Sequence, residues 1–161
     1  MREIGQSDTT GTTIRFWPDT SIFIVSVYNR DILESRLREL SFLNRKIKIV
    51  LNDLREKDDE GKTYSKTFYS EGGIVEFVEL IDKNGSRQPL LPTVIYCDGY
   101  DAASNVTVDV AMMYNTGYQE HLFSYVNNIN TIEGGTDVWG VRRSITRVFK
   151  TYGEKQGMFE K

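Results

Sequence analysis

Apolar and polar residues alternate over much of this chain, with helical spacing breaking in between the alternating runs. Thr12 to Trp17 alternates as a short strand and is stopped by Pro18-Asp19, and Ser21 to Val27 offers a second strand. Asp31 to Glu34 has the spacing of a capping box, and Leu33, Leu37 and Leu40 then form a helical stripe that runs to about Phe42. Ile47, Ile49 and Leu51 return to the strand period with one buried face. The charged stretch Asp53 to Lys62 reads as a hairpin tip, and the β-branched and aromatic run Thr63 to Tyr69 as the returning strand. Gly72-Gly73 turns the chain into a short helix carrying Ile74, Phe77, Val78 and Ile81 on one side, ended by Asn84-Gly85.

Beyond the Pro89 to Pro92 connection, the pattern predicts strands over Thr93 to Cys97, Val106 to Tyr114 and Gln119 to Val126. Val106, Val108, Val110 and Met112 are expected to face a core, with a hairpin turn at Asn115-Thr116-Gly117. The last element follows Gly134-Gly135, where Thr136 or Asp137 is placed to cap a helix. Val138, Val141, Ile145, Val148 and Tyr152 recur at spacings of three and four and form its buried stripe. Arg143, Arg147 and Lys150 fall opposite, with Arg142 on the flank. Strands, helix, hairpin, helix, meander and helix in that order predict an α+β fold, a mainly antiparallel or mixed sheet covered by helices.

Composition narrows the picture. A chain of 161 residues with 39% apolar content can bury one core, so one domain is expected. The net charge of −3 argues against an indiscriminately cationic nucleic-acid binder, but the charge is unevenly placed, acidic from Asp53 to Glu60 and basic from Arg142 to Lys150. A single cysteine, Cys97, forms no internal disulfide and supplies no zinc site, which fits the cytoplasm. No apolar run approaches the length of a membrane span, and Met1 to Asp8 is polar and expected to be poorly ordered.

Candidate chemistry is sparse. Gly61-Lys62-Thr63 ends as a P-loop does, but Glu56 stands where the first glycine is needed. Gly134-Gly135 could cradle an anion at a helix N-terminus, and Glu133 and Asp137 oppose it. His121, the only histidine, lies in an apparent strand and reads as structural or exposed rather than catalytic. The acids Asp53, Asp58, Asp59 and Glu60 lack the alternation and mid-loop glycine of a calcium loop and read as a solvated tip. No cofactor, metal or catalytic residue is expected in this chain, and ATP binding by it is not expected.

Four blocks carry a family resemblance: GTTIRFWPDTSIF (Gly11 to Phe23), RLRELSFLN (Arg36 to Asn44), FYSEGGIVEFV (Phe68 to Val78) and NNINTIEGGTDVWGVRRSITRVFKTYGEKQG from Asn127. The chain resembles the B subunit of bacterial DNA gyrase, the ATPase-bearing half of a type II topoisomerase. The B-type subunit of topoisomerase IV shares several blocks, and FWPD and VRRSITR favour gyrase. The resemblance implies a transducer domain with the ribosomal-protein-S5 domain 2-like fold. Such a domain relays nucleotide state to the DNA gate and lines the cavity for the transported double-stranded DNA. It further implies ATP and Mg bound elsewhere in the parent enzyme, with the gyrase A subunit and a second B-type protomer as partners.

On this reading residues 1–23 are the end of the upstream ATPase domain and 24–161 a transducer truncated at its C-terminal end. The family's transducer continues past Lys161 through a strand, a loop whose lysine reaches the ATP γ-phosphate, and a long helix. The chain is thus expected to be a catalytically inactive fragment. Arg142 matches the family's cavity-lining arginine, whereas Arg143, Arg147 and Lys150 join it as DNA-binding candidates from helical geometry. Asp137 stands where the family has a histidine. A topoisomerase IV fragment, a stand-alone non-enzymatic nucleic-acid-binding module and a purely structural domain are the alternatives.

Overall fold

The computed structural model describes residues 5–15, 17–57, 59–84 and 88–159. Helix α1 (Arg30–Leu43) leads into the antiparallel pair β1 (Ile49–Lys57) and β2 (Thr63–Phe68), and helix α2 (Ile74–Asn84) follows. Strands β3 (Ile95–Asp101) and β4 (Val106–Met112) form a second antiparallel pair. The two-residue strands β5 (Tyr125–Val126) and β6 (Ile129–Asn130) form a third, before helix α3 (Thr136–Lys155). The α+β class and the antiparallel pairing are as the pattern predicts. Among the described residues the strands form separate two-stranded ladders rather than one sheet.

The core lies where α1 and α2 meet the ladders. Phe42 and Phe77 stack with centroids 5.2 Å apart, and Phe123 tilts against Phe77 at 5.7 Å. Phe68, at the end of β2, is 5% exposed and is the one large apolar side chain among the described residues to be buried. Beside it the Ser70 to Gly73 turn is built on polar contacts. Ser70 Oγ donates to Glu76 at 2.6 Å and accepts from the Gly73 N–H, while the Gly72 N–H donates to Glu76 at 2.8 Å. These bonds hold the Glu76 carboxyl below its usual range, the Ser70 hydroxyl contributing most.

Gly73 has φ +65°, and a Cβ there would stand 2.5 Å from Cγ and Nε of Arg45, whose guanidinium lies 4.9 Å over the Tyr96 ring. Gly73→Ala is expected to destabilise the fold by about 1–2 kcal/mol from the left-handed backbone alone. Displacing Arg45 from Tyr96 adds to the loss. Thermal unfolding reads it as a fall in Tm of roughly 2–8 °C.

Polar contacts tie α1 to the first ladder. Glu34 accepts from Tyr64 and Lys66, and Arg30 lies 4.6 Å over the Tyr64 ring. Asp53 accepts from Arg55 at 2.6 and 2.8 Å, and Arg55 also donates to the Tyr28 carbonyl. Arg55 thereby brings the Asp53 pKa from 3.8 to about 2. Because the folded value is depressed, the pair's contribution to stability is complete above pH 3.8 and is lost as pH falls through about 2. Asp53→Asn is expected to remove that limb from an acid-unfolding profile followed by circular dichroism.

Several expectations are corrected. Residues 12–15 and 21–27 form no strand: their alternation has no partner strand among the described residues, and Ile14, Ile22, Ile24 and Val25 are exposed. Phe16 of that run lies outside the described residues, as do Met1 to Ile4 of the leading segment. The α1 cap is Asn29, whose side chain accepts from the N–H groups of Asp31 and Ile32, so Asp31 sits in the first turn instead. Asp53 belongs to β1 rather than to the tip, because the ladder runs on to Lys57 across a register shift. Asp58 lies outside the described residues. So does Gly85, the expected stop of α2, whose described length ends at Asn84.

The hairpin after β3 turns at residues 102–105, with Asn105 at φ 56°, and the Asn115 turn joins no strands. Asn115 instead pairs with Pro89 in a bridge and donates to the buried Asp82 at 2.8 Å. Val106 and Val108 are exposed, since the distal half of a two-stranded ribbon has no layer to pack on; only Val110 to Met112, near α2, are half-buried. From Gln119 to Ser124 the chain is not strand, and the short β5–β6 hairpin takes its place.

Candidate nucleic-acid interface

The site is built on α3. Gly134 takes φ +74°, and Gly135 is the extended N-cap residue with no side-chain cap bond, so neither Thr136 nor Asp137 caps the helix as expected. Asp137 turns back instead. Its carboxylate accepts from Ser124 and, at 3.2 Å, from Thr131, fastening the β5–β6 hairpin to the head of α3. The Ser124 hydroxyl, then the Val138 N–H, hold its pKa below the usual carboxylate range. At the other end of the hairpin, Arg36 of α1 donates to the Asn128 carbonyl. The turn itself is Asn127-Asn128 with φ 49° and 67°, the left-handed pair that a two-residue hairpin requires.

The far end of α3 closes on Gly157 at φ 65°. The Met158 N–H reaches the Gly153 carbonyl at 2.9 Å and the Gly157 N–H reaches the Glu154 carbonyl, as in a Schellman stop. Val138, Val141 and Ile145 are half-buried as the stripe predicts. Val148 and Tyr152 are not: they are 64% and 56% exposed, because no described element packs along that half of the helix.

Arg143, Arg147 and Lys150 share the exposed face, about 6 Å and then about 4.5 Å apart along the axis. Lys150 stands 3.9 Å from Glu154, and among the described residues Arg143 and Arg147 have no ion-pair partner. Arg142 is set apart, its guanidinium bound to Glu120 at 2.8 Å. That bond links residues 22 apart in sequence, and no local pattern announces it. The face is therefore a row of cations about two helical turns long, with a fourth cation held at its edge.

The glycine stretches do not suit a nucleotide. Gly61-Lys62-Thr63 joins strand to strand, whereas a P-loop leads into a helix, and Lys62 is paired with Glu60 at 2.8 Å. At Gly135 a Cβ would meet the Asp137 carboxylate at 2.6 Å, so an acid fills the mouth where a phosphate would sit. These residues thus do not fit ATP or its magnesium ion. Among the described residues no His, Cys, Asp and Glu cluster is placed to hold a metal, and no helix is long and apolar enough to cross a membrane.

The family model for DNA gyrase B matches residues 73–161. The chain belongs to the DNA gyrase B family. The gyrase B protein of Chitinophaga japonensis is 59% identical over all of this chain, which covers 34% of that protein. That of Eisenibacter elegans is 52% identical over 98% of the chain and 32% of its own length. The Bacillus mycoides protein is 42% identical over 99% of the chain and 38% of its own. The chain thus spans about a third of the length of the curated gyrase B relatives it matches.

Solved structures agree on the fold. The 43K ATPase domain of Thermus thermophilus gyrase B, in complex with an aminocoumarin, superposes with TM-score 0.70 at 24% identity, over 89% of this chain and 37% of that one. The Myxococcus xanthus gyrase B protein gives 0.66 at 24% identity, over 78% and 33%.

Proposed function

We propose that this chain is the transducer region of a gyrase B protein, with residues 1–23 closing the preceding ATPase domain and 24–161 forming the transducer. In the parent enzyme it relays nucleotide state toward the DNA gate and lines the cavity for the transported duplex. ATP and magnesium bind outside these residues, the gyrase A subunit and a second B-type protomer complete the assembly, and the enzyme works in the cytoplasm. The observation that carries the DNA-facing part is the exposed cationic face of α3, with Arg143, Arg147 and Lys150 aligned and Arg142 at its edge.

Such a face acts on phosphates. Binding to a short duplex is expected to be weak, with Kd near 10⁻⁴ M at physiological salt as an order of magnitude, indifferent to sequence and steeply reduced by salt. Binding that ignores ionic strength would contradict the proposal. The Arg142–Glu120 pair adds a sharper test. An exposed pair contributes about 0–1 kcal/mol, so Arg142 is easily released. Glu120→Gln is expected to strengthen duplex binding by freeing that guanidinium and removing a repelling charge, as read by fluorescence anisotropy at low salt. Weaker binding by this variant would place Arg142 outside the interface.

A further inference from the structure

α3 carries one large apolar side chain that its buried stripe does not explain. At about 100° per residue, Trp139 falls roughly 20° from Lys150 and about 40° from Arg143 around the helix, on the far side from Val138, Val141 and Ile145. It is 77% exposed. A lone exposed aromatic is ordinary, so its position is what matters. The other exposed apolar residues of α3, Val148, Phe149 and Tyr152, lie within about 70° of the stripe's centre, where a partner could cover them on the side away from Arg143 and Lys150, although Arg147 and Lys155 border the same hollow as Val148 and Tyr152. Nothing could cover Trp139 in that way. Its partner also meets Arg143, one turn on, and so must accept an indole and a cation together, since enclosing Arg143 in an apolar interface would strand its charge.

A sugar–phosphate strand meets both demands, with anionic oxygens for the cations and an apolar deoxyribose edge between them. We propose that Trp139 belongs to the DNA-facing surface, its ring laid against a deoxyribose of a duplex backbone while Arg143 takes the adjacent phosphate and Lys150, about 16.5 Å further along the helix axis than Trp139, takes a phosphate farther along the duplex. This rests on the DNA-facing reading of α3. One turn, about 6 Å of axis, separates Trp139 from Arg143, so ring and guanidinium address neighbouring units of one strand. The indole adds contact area and one N–H donor but no charge.

The chain has two tryptophans, so Trp17→Phe leaves Trp139 as the only indole. Titrating that variant with a short labelled mixed-sequence duplex at low salt is expected to change Trp139 emission in step with duplex anisotropy. Trp139→Ala is expected to weaken duplex binding roughly threefold to tenfold. Its salt slope stays unchanged, since every cation that neutralises a phosphate is still in place, and Trp139→Phe recovers most of the affinity. Anisotropy reporting binding while Trp139 emission stays constant would overturn the inference and leave the basic face standing. A Trp139→Ala effect confined to single-stranded DNA would also overturn it, because stacking on an unpaired base would then be the contact. Silence from both signals would remove the DNA-facing reading and this inference with it.

Discussion

Changing Arg143, Arg147 and Lys150 together to alanine is expected to flatten the salt dependence of duplex binding by about 2.7 in log–log slope, at about 0.9 for each phosphate no longer neutralised. Extrapolated from molar salt to about 50 mM, that change alone corresponds to a loss on the order of a thousandfold in affinity. The fold should not suffer. All three side chains lie opposite Val138, Val141 and Ile145, and the substitution takes away only the 3.9 Å pair of Lys150 with Glu154. A helical pair of this kind contributes about 0.5 kcal/mol or less, and alanine is the better helix former. Affinity and thermal stability therefore separate in this variant: the first collapses and the second holds. If the slope stays put, the cations are ordinary solvated surface; if Tm drops by more than a few degrees, the helix packs differently.

Phe68→Ala should be the most damaging change to the fold. Phe68 ends β2 opposite Ile49, just before the Ser70 to Gly73 turn, and is 5% exposed where most large apolar residues of the chain are far more open. Removing a buried phenyl ring costs about 3–5 kcal/mol, against a total stability of about 5–15 kcal/mol for a domain. A core with so few enclosed side chains has little else to hold it, so the urea midpoint should fall steeply. A loss below about 1 kcal/mol would mean that the site collapses freely and that Phe68 does not anchor the core.

Helices are the most legible part of the chain, because each carries its own period and its own stops. The first half of the α3 stripe, from Val138 to Ile145, its glycine entry and its basic face can be read directly, and Gly72-Gly73 announces α2. Caps are less legible. Asn29 and Gly135 occupy the cap positions, not Asp31 and not Thr136 or Asp137, since a capping residue type in the first turn and one at the cap look alike in sequence. Strand alternation misleads more. It reports a side chain's preference for a buried face but not whether a neighbouring strand exists to create one, so residues 12–15 and 21–27 alternate without forming a ladder among the described residues. The Asn127-Asn128 turn carries its own signal, two residues tolerant of left-handed backbone between short apolar runs, and could have been found. At the candidate site, angle around the helix places Arg143, Arg147 and Lys150 together. The pairing of Arg142 with Glu120 and the tie from Asp137 to Ser124 and Thr131 depend on how distant segments fold back, which no spacing encodes.

The central claim is that α3 turns its cationic face to duplex DNA, and amide chemical-shift mapping tests it most directly. Adding a short duplex to isotope-labelled chain at low salt is predicted to perturb a contiguous set of amides along α3 from Trp139 to Lys150. The exposed N-terminal segment and the β3–β4 ribbon should stay unmoved, and the shifts should reverse as salt is raised. Perturbations centred on any other element, or none along α3 at duplex saturation, would contradict the claim.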